Sequence, residues 1–335
     1  MKHLLFAVCL LLSAFSFTSC NKNDDDTDAI IGVWSGGAQF EGAPRSGAVT
    51  FTINNRAYVG LGWNGTDKFK DFWVYNPDNR SWRQIAPFPG VARYNAVAFA
   101  VGNKGYVGTG YDGTNRLSDF YEYDPNANTW TKKKDFAGGA RYSAVGLSIG
   151  DKGYVGTGYG TISSTAVGAA NLKDFWEYNP STDVWTQKAS LFGNKRIGAM
   201  AFTIGNYGYI ASGTDNGAVL TDNEAYDPAT DTWTNMRSLT NNSTDGYDYS
   251  AVARNYGASF VVNGKGYVTV GEGNKSDCWE FNPDADTWTQ KTNFPGSART
   301  YAVGFGLGST GYVATGSNGS IRLDDVWELA PDATE

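Results

Sequence analysis

Six arginines, Arg45, Arg93, Arg141, Arg196, Arg254 and Arg299, and six aspartates, Asp71, Asp119, Asp174, Asp222, Asp277 and Asp325, are the side chains whose type and spacing invite chemistry. A guanidinium is a planar fork of donors that fits a carboxylate in two-point contact, so such a set suits an anionic ligand. The same set also suits a structural role, with each arginine taken up by its own aspartate. Without an offsetting charge, neighbouring arginines ~8 Å apart repel by roughly 2 kcal/mol at an effective dielectric near ~20. A second set follows a glycine-containing turn in each copy of the pattern: Trp63, Tyr111 and Tyr159 in the first three, Thr214, Glu272 and Ser317 in the last three. One arc is aromatic and the other polar. Aromatic faces beside hydrogen-bonding groups suit a sugar, and Glu272, the one acid in this set, is the candidate acid or base if catalysis occurs.

Other chemistry is excluded by composition. The only histidine is His3, inside a leader, so the mature chain has no imidazole for zinc, copper or a Ser-His-Asp triad. No metal site and no cofactor is expected. Cys278 is the one thiol left once the leader is cut and Cys20 acylated, and it reads as a small buried apolar residue of a strand. The mature chain carries 26 basic against 34 acidic side chains, a formal charge of −8. This argues against nucleic acid as a partner and against charge-driven binding to an anionic membrane.

The elements that must position these residues follow from a repeat. Each arginine begins a segment R-x-x-A/G-x-x-[FL], and a tyrosine stands 13 residues after it: Tyr58, Tyr106, Tyr154, Tyr209, Tyr267 and Tyr312. From each of the first five aspartates a tryptophan follows after 11 residues, Trp82, Trp130, Trp185, Trp233 and Trp288, across a turn such as DPNANTW. Asx and Pro residues preset such reversals, so each copy of about 48 residues reads as four strands, a to d, the unit of a propeller blade. The sixth copy stops short, because Asp325 calls for a tryptophan at position 336 and the chain ends at Glu335. Trp34 lies 11 residues before Arg45, the interval seen between Trp82 and Arg93, so residues 30–38 are expected to supply the missing outer strand and close the ring.

The start of the chain predicts export. Lys2 and His3 precede an apolar run to Phe17, and the ending Phe17-Thr18-Ser19-Cys20 resembles a lipobox. The division expected is a lipoprotein signal peptide at 1–19, a lipidated Cys20 with an acidic tether at 20–28, and one all-β propeller at 29–335. The protein is expected in the cell envelope as an outer-membrane lipoprotein, periplasmic or surface-exposed, touching the membrane through its lipid alone.

With GYVGTG at 105–110 and 153–158, then D-F-W/Y-x-Y-[DN]-P and the late tryptophan, the pattern resembles kelch repeats over residues 29–335. The resemblance implies a six-bladed kelch-type β-propeller with four-stranded blades, the last closed by the N-terminal strand. The family's usual Gly-Gly doublet is here Gly-x-Gly or a small residue-x-Gly. Kelch-type copper oxidases are similar in repeat, but their metal needs histidines this chain lacks. Six-bladed bacterial N-acetylneuraminate mutarotases are similar in blade count and export, which implies an alternative activity on an anionic sugar, with Arg254 or Arg299 as carboxylate clamp and Glu272 as acid or base.

In a blade of alternating strands the d-to-a and b-to-c loops share one face. Two insertions fall there: seven extra residues around Thr161–Asn171 in blade three, and ten around Asn241–Ser250 before blade five. Recognition is therefore expected on that face, where the six arginines ring the channel mouth. The function expected is a monomeric binding module for a carbohydrate or protein ligand; the alternatives are the sugar mutarotase and a scaffold in an envelope complex.

Overall fold

The computed structural model describes residues 31–161 and 168–334. Six antiparallel four-stranded sheets follow one another along the chain. Their innermost strands, Val49–Ile53, Val97–Val101, Val145–Ile149, Met200–Ile204, Ala258–Val262 and Val303–Leu307, each touch the next, and the last touches the first. The result is a closed ring of six blades.

Each blade repeats one local logic. In blade one, Val49–Ile53 (a), Arg56–Gly60 (b), Phe72–Asn76 (c) and Ser81–Ile85 (d) pair in chain order. Residues of strand a alternate between the packing between blades, as with Phe51 and Ile53, and the axial channel, as with Thr50 and Thr52. The c-to-d reversals are Asx turns: the Asn76 side chain accepts from Asp78 N–H at 3.1 Å and the Asp124 side chain from Asn126 N–H at 2.9 Å.

Blades are fastened by the strand-d tryptophans. Trp82 Nε1 donates to Ala38 O at 3.1 Å, Trp130 Nε1 to Ala86 O at 2.9 Å and Trp233 Nε1 to Ala189 O at 2.8 Å, each reaching the end of the preceding outer strand. Close approach of neighbouring blades also needs glycine on strand b. A Cβ on Gly266 would stand 2.5 Å from Cε2 of Phe202 in the blade before it, so only glycine lets that ring lie flat there.

Closure runs through the N-terminal strand Val33–Gly36, which pairs with Val326–Ala330 in the register Trp34 to Leu329. Trp34 repeats the tryptophan staple, donating to Thr292 O at 2.9 Å and standing edge-on to Phe294 at 5.2 Å. Both ends of the chain thus share blade six, as the intervals around Trp34 require, and neither blade five nor blade one is left with an open flank.

Candidate functional site at the propeller mouth

The arginines stand four residues before strand a, on the mouth face, but they do not line it. All six side chains are fully buried or nearly so, and each is held by its own aspartate. Arg45 donates to both carboxylate oxygens of Asp71 at 2.6 and 2.7 Å, Arg141 to those of Asp174 at 2.7 and 2.8 Å, and Arg299 to those of Asp325 at 2.5 and 2.8 Å. Arg93 and Arg196 hold Asp119 and Asp222 in the same two-point way, and Arg254 holds Asp277 through Nη2 at 2.7 Å. Remaining donors go to backbone: Arg141 Nη1 also reaches Thr157 O at 2.8 Å. The expectation that Arg45, Arg93, Arg141, Arg196, Arg254 and Arg299 present a ligand-binding ring is therefore corrected. A buried guanidinium needs every donor satisfied, and the aspartate ring satisfies them from inside the fold. Burial pushes the Asp71 and Asp325 carboxyls up, but Arg45 and Arg299 outweigh it and hold both below the usual carboxylate range.

What the mouth presents comes from the residue after each arginine and the residue after each strand-b turn. Trp63, Tyr94, Tyr111, Tyr142 and Tyr159 form one unbroken chain of rings with successive centroids 5.5, 5.7, 5.3 and 5.6 Å apart. Backbone bridges hold the partners together, Ser46 to Trp63 and Tyr94 to Tyr111 among them. Ser46 and Asn95 beside the arc, and Thr300 and Ser317 of blade six, line the same pocket, whose volume is about 440 Å³. Burial raises the Tyr94 and Tyr142 phenols, so both are neutral donors near neutral pH. Glu272 is exposed on the polar side, its Oε2 accepting from Asn255 Nδ2 at 2.5 Å.

The floor is a second ring. Gly47, Asn95, Ser143, Gly198, Tyr256 and Tyr301 occupy the third position of the six repeats, all with φ between 52° and 63°. Each N–H donates to the carbonyl of its counterpart in the preceding blade, and Gly47 to Tyr301, at 2.8–3.3 Å, which completes the circle. Tyr256 lies across Gly198, where a Cβ would stand 2.5 Å from its Cε1, and stacks on Tyr301 at 4.3 Å.

Comparison with known proteins bears on this architecture. The Kelch motif matches at residues 44–89 and 92–136, blades one and two of the ring. Blades one and two are kelch repeats, and the chain as a whole is a β-propeller. Among solved structures it is similar to one titled "Structure of YjhT", at 16% identity and a TM-score of 0.70 over 87% of this chain and 95% of that one, a likeness of fold. No curated protein sequence matches it.

The kelch doublet's departure has a structural meaning. The middle residue of each turn, Leu61, Thr109, Thr157, Ser212, Val270 or Thr315, has φ between 52° and 62°, a conformation glycine adopts freely and β-branched residues rarely do. Its carbonyl accepts from the buried arginine, from Leu61 O at 2.9 Å to Thr315 O at 3.0 Å. The turn of the kelch repeat is thus held in shape by the arginine.

Sequence reasoning missed the cation that does reach the pocket. Arg322 lines it, with its guanidinium 4.7 Å from the Trp63 ring, Nη1 donating to Gly319 O at 3.1 Å and Nε buried without a partner among the described residues. No carboxylate of the described residues stands within ion-pair distance of it. Its signal was positional: three residues before each c-strand aspartate stand Lys68, Arg116 and Arg322 in the blades preceding the aromatic positions, but Asn171, Val219 and Asn274 elsewhere. Arg116 likewise stands 5.6 Å from the Tyr159 ring. Tyr94 and Tyr142 were also missed, because each follows an arginine and reads as the start of a strand.

Of the two insertions, residues 162–167 of the first lie outside the described residues, as do Cys20 and the leader. The second forms a small hairpin, Asn241–Asn242 with Tyr247–Asp248, on which Tyr247 and Tyr249 stack at 4.5 Å. Tyr249 takes the place that Phe40 and Phe88 hold before their arginines. Cys278 is fully buried, and burial pushes its thiol up to about 12, which leaves no nucleophile there.

Proposed function

We propose that this protein is a carbohydrate-binding module, carried in the cell envelope by a lipid on Cys20, which recognises its ligand at the propeller mouth. The observation that carries the reading is the five-ring chain from Trp63 to Tyr159 together with the hydroxyls of Ser46, Thr300 and Ser317. A sugar ring has an apolar C–H face and a rim of hydroxyls, and this wall and these hydroxyls match the two in turn. A glycan array with the purified propeller tests it: binding is expected, and Trp63→Ala is expected to weaken it by about tenfold. Array silence, with a protein recovered instead in an envelope pull-down, would replace the carbohydrate by a protein ligand. Labelled lipid incorporated into the wild type but not into Cys20→Ala tests the anchor.

A second reading, a mutarotase of sialic acid or a similar anionic sugar, draws on Arg322 and Glu272. Arg322 has donor capacity for a carboxylate, and Glu272 is an exposed acid on the polar side of the same mouth, hydrogen-bonded to Asn255. NMR of freshly dissolved sialic acid tests it, and an anomer exchange unchanged by the protein rejects it.

A further inference from the structure

The mouth has a floor and an uneven rim, and these two features decide what part of a glycan it can hold. Asn95 and Tyr301 line both the mouth pocket and a smaller cavity of about 140 Å³ to which all six blades contribute, so they stand at the neck where the mouth meets the axial channel. Tyr256 and Tyr301 are bulky residues held at φ 53° and 56°, where two of their four counterparts are glycines. The left-handed region is strained for such residues, and the fold carries that strain at the neck, where the two rings lie 4.3 Å apart. Were the channel meant to be threaded, glycine in all six places would open it without strain.

The rim is built from b-to-c hairpins. Trp63 bridges Lys68 and Tyr111 bridges Arg116, and Tyr159–Gly160, Thr214–Asp215 and Ser317–Asn318 begin paired hairpins of their own. Blade five has none: Tyr267 and Asp277 are ten residues apart, where thirteen separate Tyr58 from Asp71 and Tyr312 from Asp325, and only a tight turn around Glu272–Asn274 spans the gap. The pocket is therefore walled by blades six, one, two and three, bordered below by Asn95 and Tyr301, and lowest in its rim at blade five. A long groove open at both ends would hold the middle of a chain; this shape does not. Its volume of about 440 Å³ is at the small end of ligand sites, with room for about one or two sugar rings.

We propose that the mouth is a blind socket for the terminal residue of a glycan, which stands end-on upon Asn95 and Tyr301 with its ring against the aromatic wall, while the rest of the chain leaves over the low turn of blade five. This rests on the carbohydrate reading. Specificity of this kind comes from exclusion as much as attraction, since any unit added to the seated terminus meets the floor.

The experiment is the glycan array followed by titration of each bound glycan against the same glycan with its terminus extended by one sugar. Bound glycans are expected to share a terminal residue, and extension is expected to reduce affinity about 100-fold or more, because no relaxation of a strained tyrosine pair makes room for a ring. Equal binding of extended and unextended glycans, or hits that share an internal unit alone, would overturn the socket and leave the carbohydrate reading standing. An array with no bound glycan would overturn the carbohydrate reading, and the socket with it.

Discussion

Replacing Arg141 by methionine separates a structural arginine ring from a ligand-binding one. Arg141 is fully buried and its partner Asp174 is 8% exposed, so the change strands a carboxylate inside blade three with only Trp176 Nε1, at 2.8 Å, still donating to it. Stranding one member of a buried ion pair costs about 3–5 kcal/mol. The Thr157 and Gly138 carbonyls lose a donor as well, adding about 1 kcal/mol each, of which methionine packed on Phe136 recovers a part. A loss of about 5 kcal/mol is expected, or about 10 °C in Tm at ~2 °C per kcal/mol for a domain of this size. Urea and thermal unfolding measure it, and glycan affinity of the folded variant is read alongside. Arg322→Met is the counterpart: it breaks no ion pair of the described residues, should change stability by less than about 1 kcal/mol, and should weaken binding of a ligand seated on Trp63. If Arg141→Met kept its stability and lost its ligand, the buried-pair account of all six arginines would be wrong.

Three further outcomes follow from the fold. Trp34→Ala should destabilise by about 2–4 kcal/mol, since it removes the staple to Thr292 and the packing on Phe294 that close the ring, and urea unfolding checks this. Thr157→Gly should stabilise by about 1 kcal/mol: it relieves a left-handed β-branched residue and removes a buried hydroxyl with no partner among the described residues, against the loss of one buried methyl and the entropy of glycine. For acid, Asp71 and Asp325 lie below their ordinary values when folded, so the stability they contribute is complete above about pH 4 and is lost as pH falls through their lowered folded values. Urea midpoints should drop below that pH, and Arg45→Met should reduce the drop.

The repeat was legible because its landmarks answer to backbone needs that recur six times. Each arginine holds its strand-b turn, each Asx residue turns strand c into d, and each tryptophan packs against an aromatic of the blade before, so spacing alone led to Trp34 and to closure at blade six. The functional surface repeats less. Arg141 and Arg322 are the same residue type, and only burial separates the one that holds Asp174 from the one that lies on Trp63. Tyr94 and Tyr142 contribute to the mouth because the innermost strand begins only at Val97 and Val145, four residues after the arginine, a detail of register that intervals do not carry. The aromatic arc of Trp63, Tyr111 and Tyr159 was visible as a break in sixfold symmetry; the floor of Tyr256 and Tyr301 was hidden among strand residues.

The polypeptide enters the ring on the side away from the mouth. Gly32 N–H donates to Ala333 O at 2.9 Å, beside the reversal that ends Val326–Ala330, and Asn263 at the foot of blade five reaches Asp332 on that same side at 3.0 Å. Eleven residues, 21–31, stand between Gly32 and Cys20, and eleven residues reach at most about 40 Å. Were Cys20 acylated, as proposed above, this short tether on the face opposite the mouth would carry the propeller like a cup on a stem, its opening turned away from the lipid.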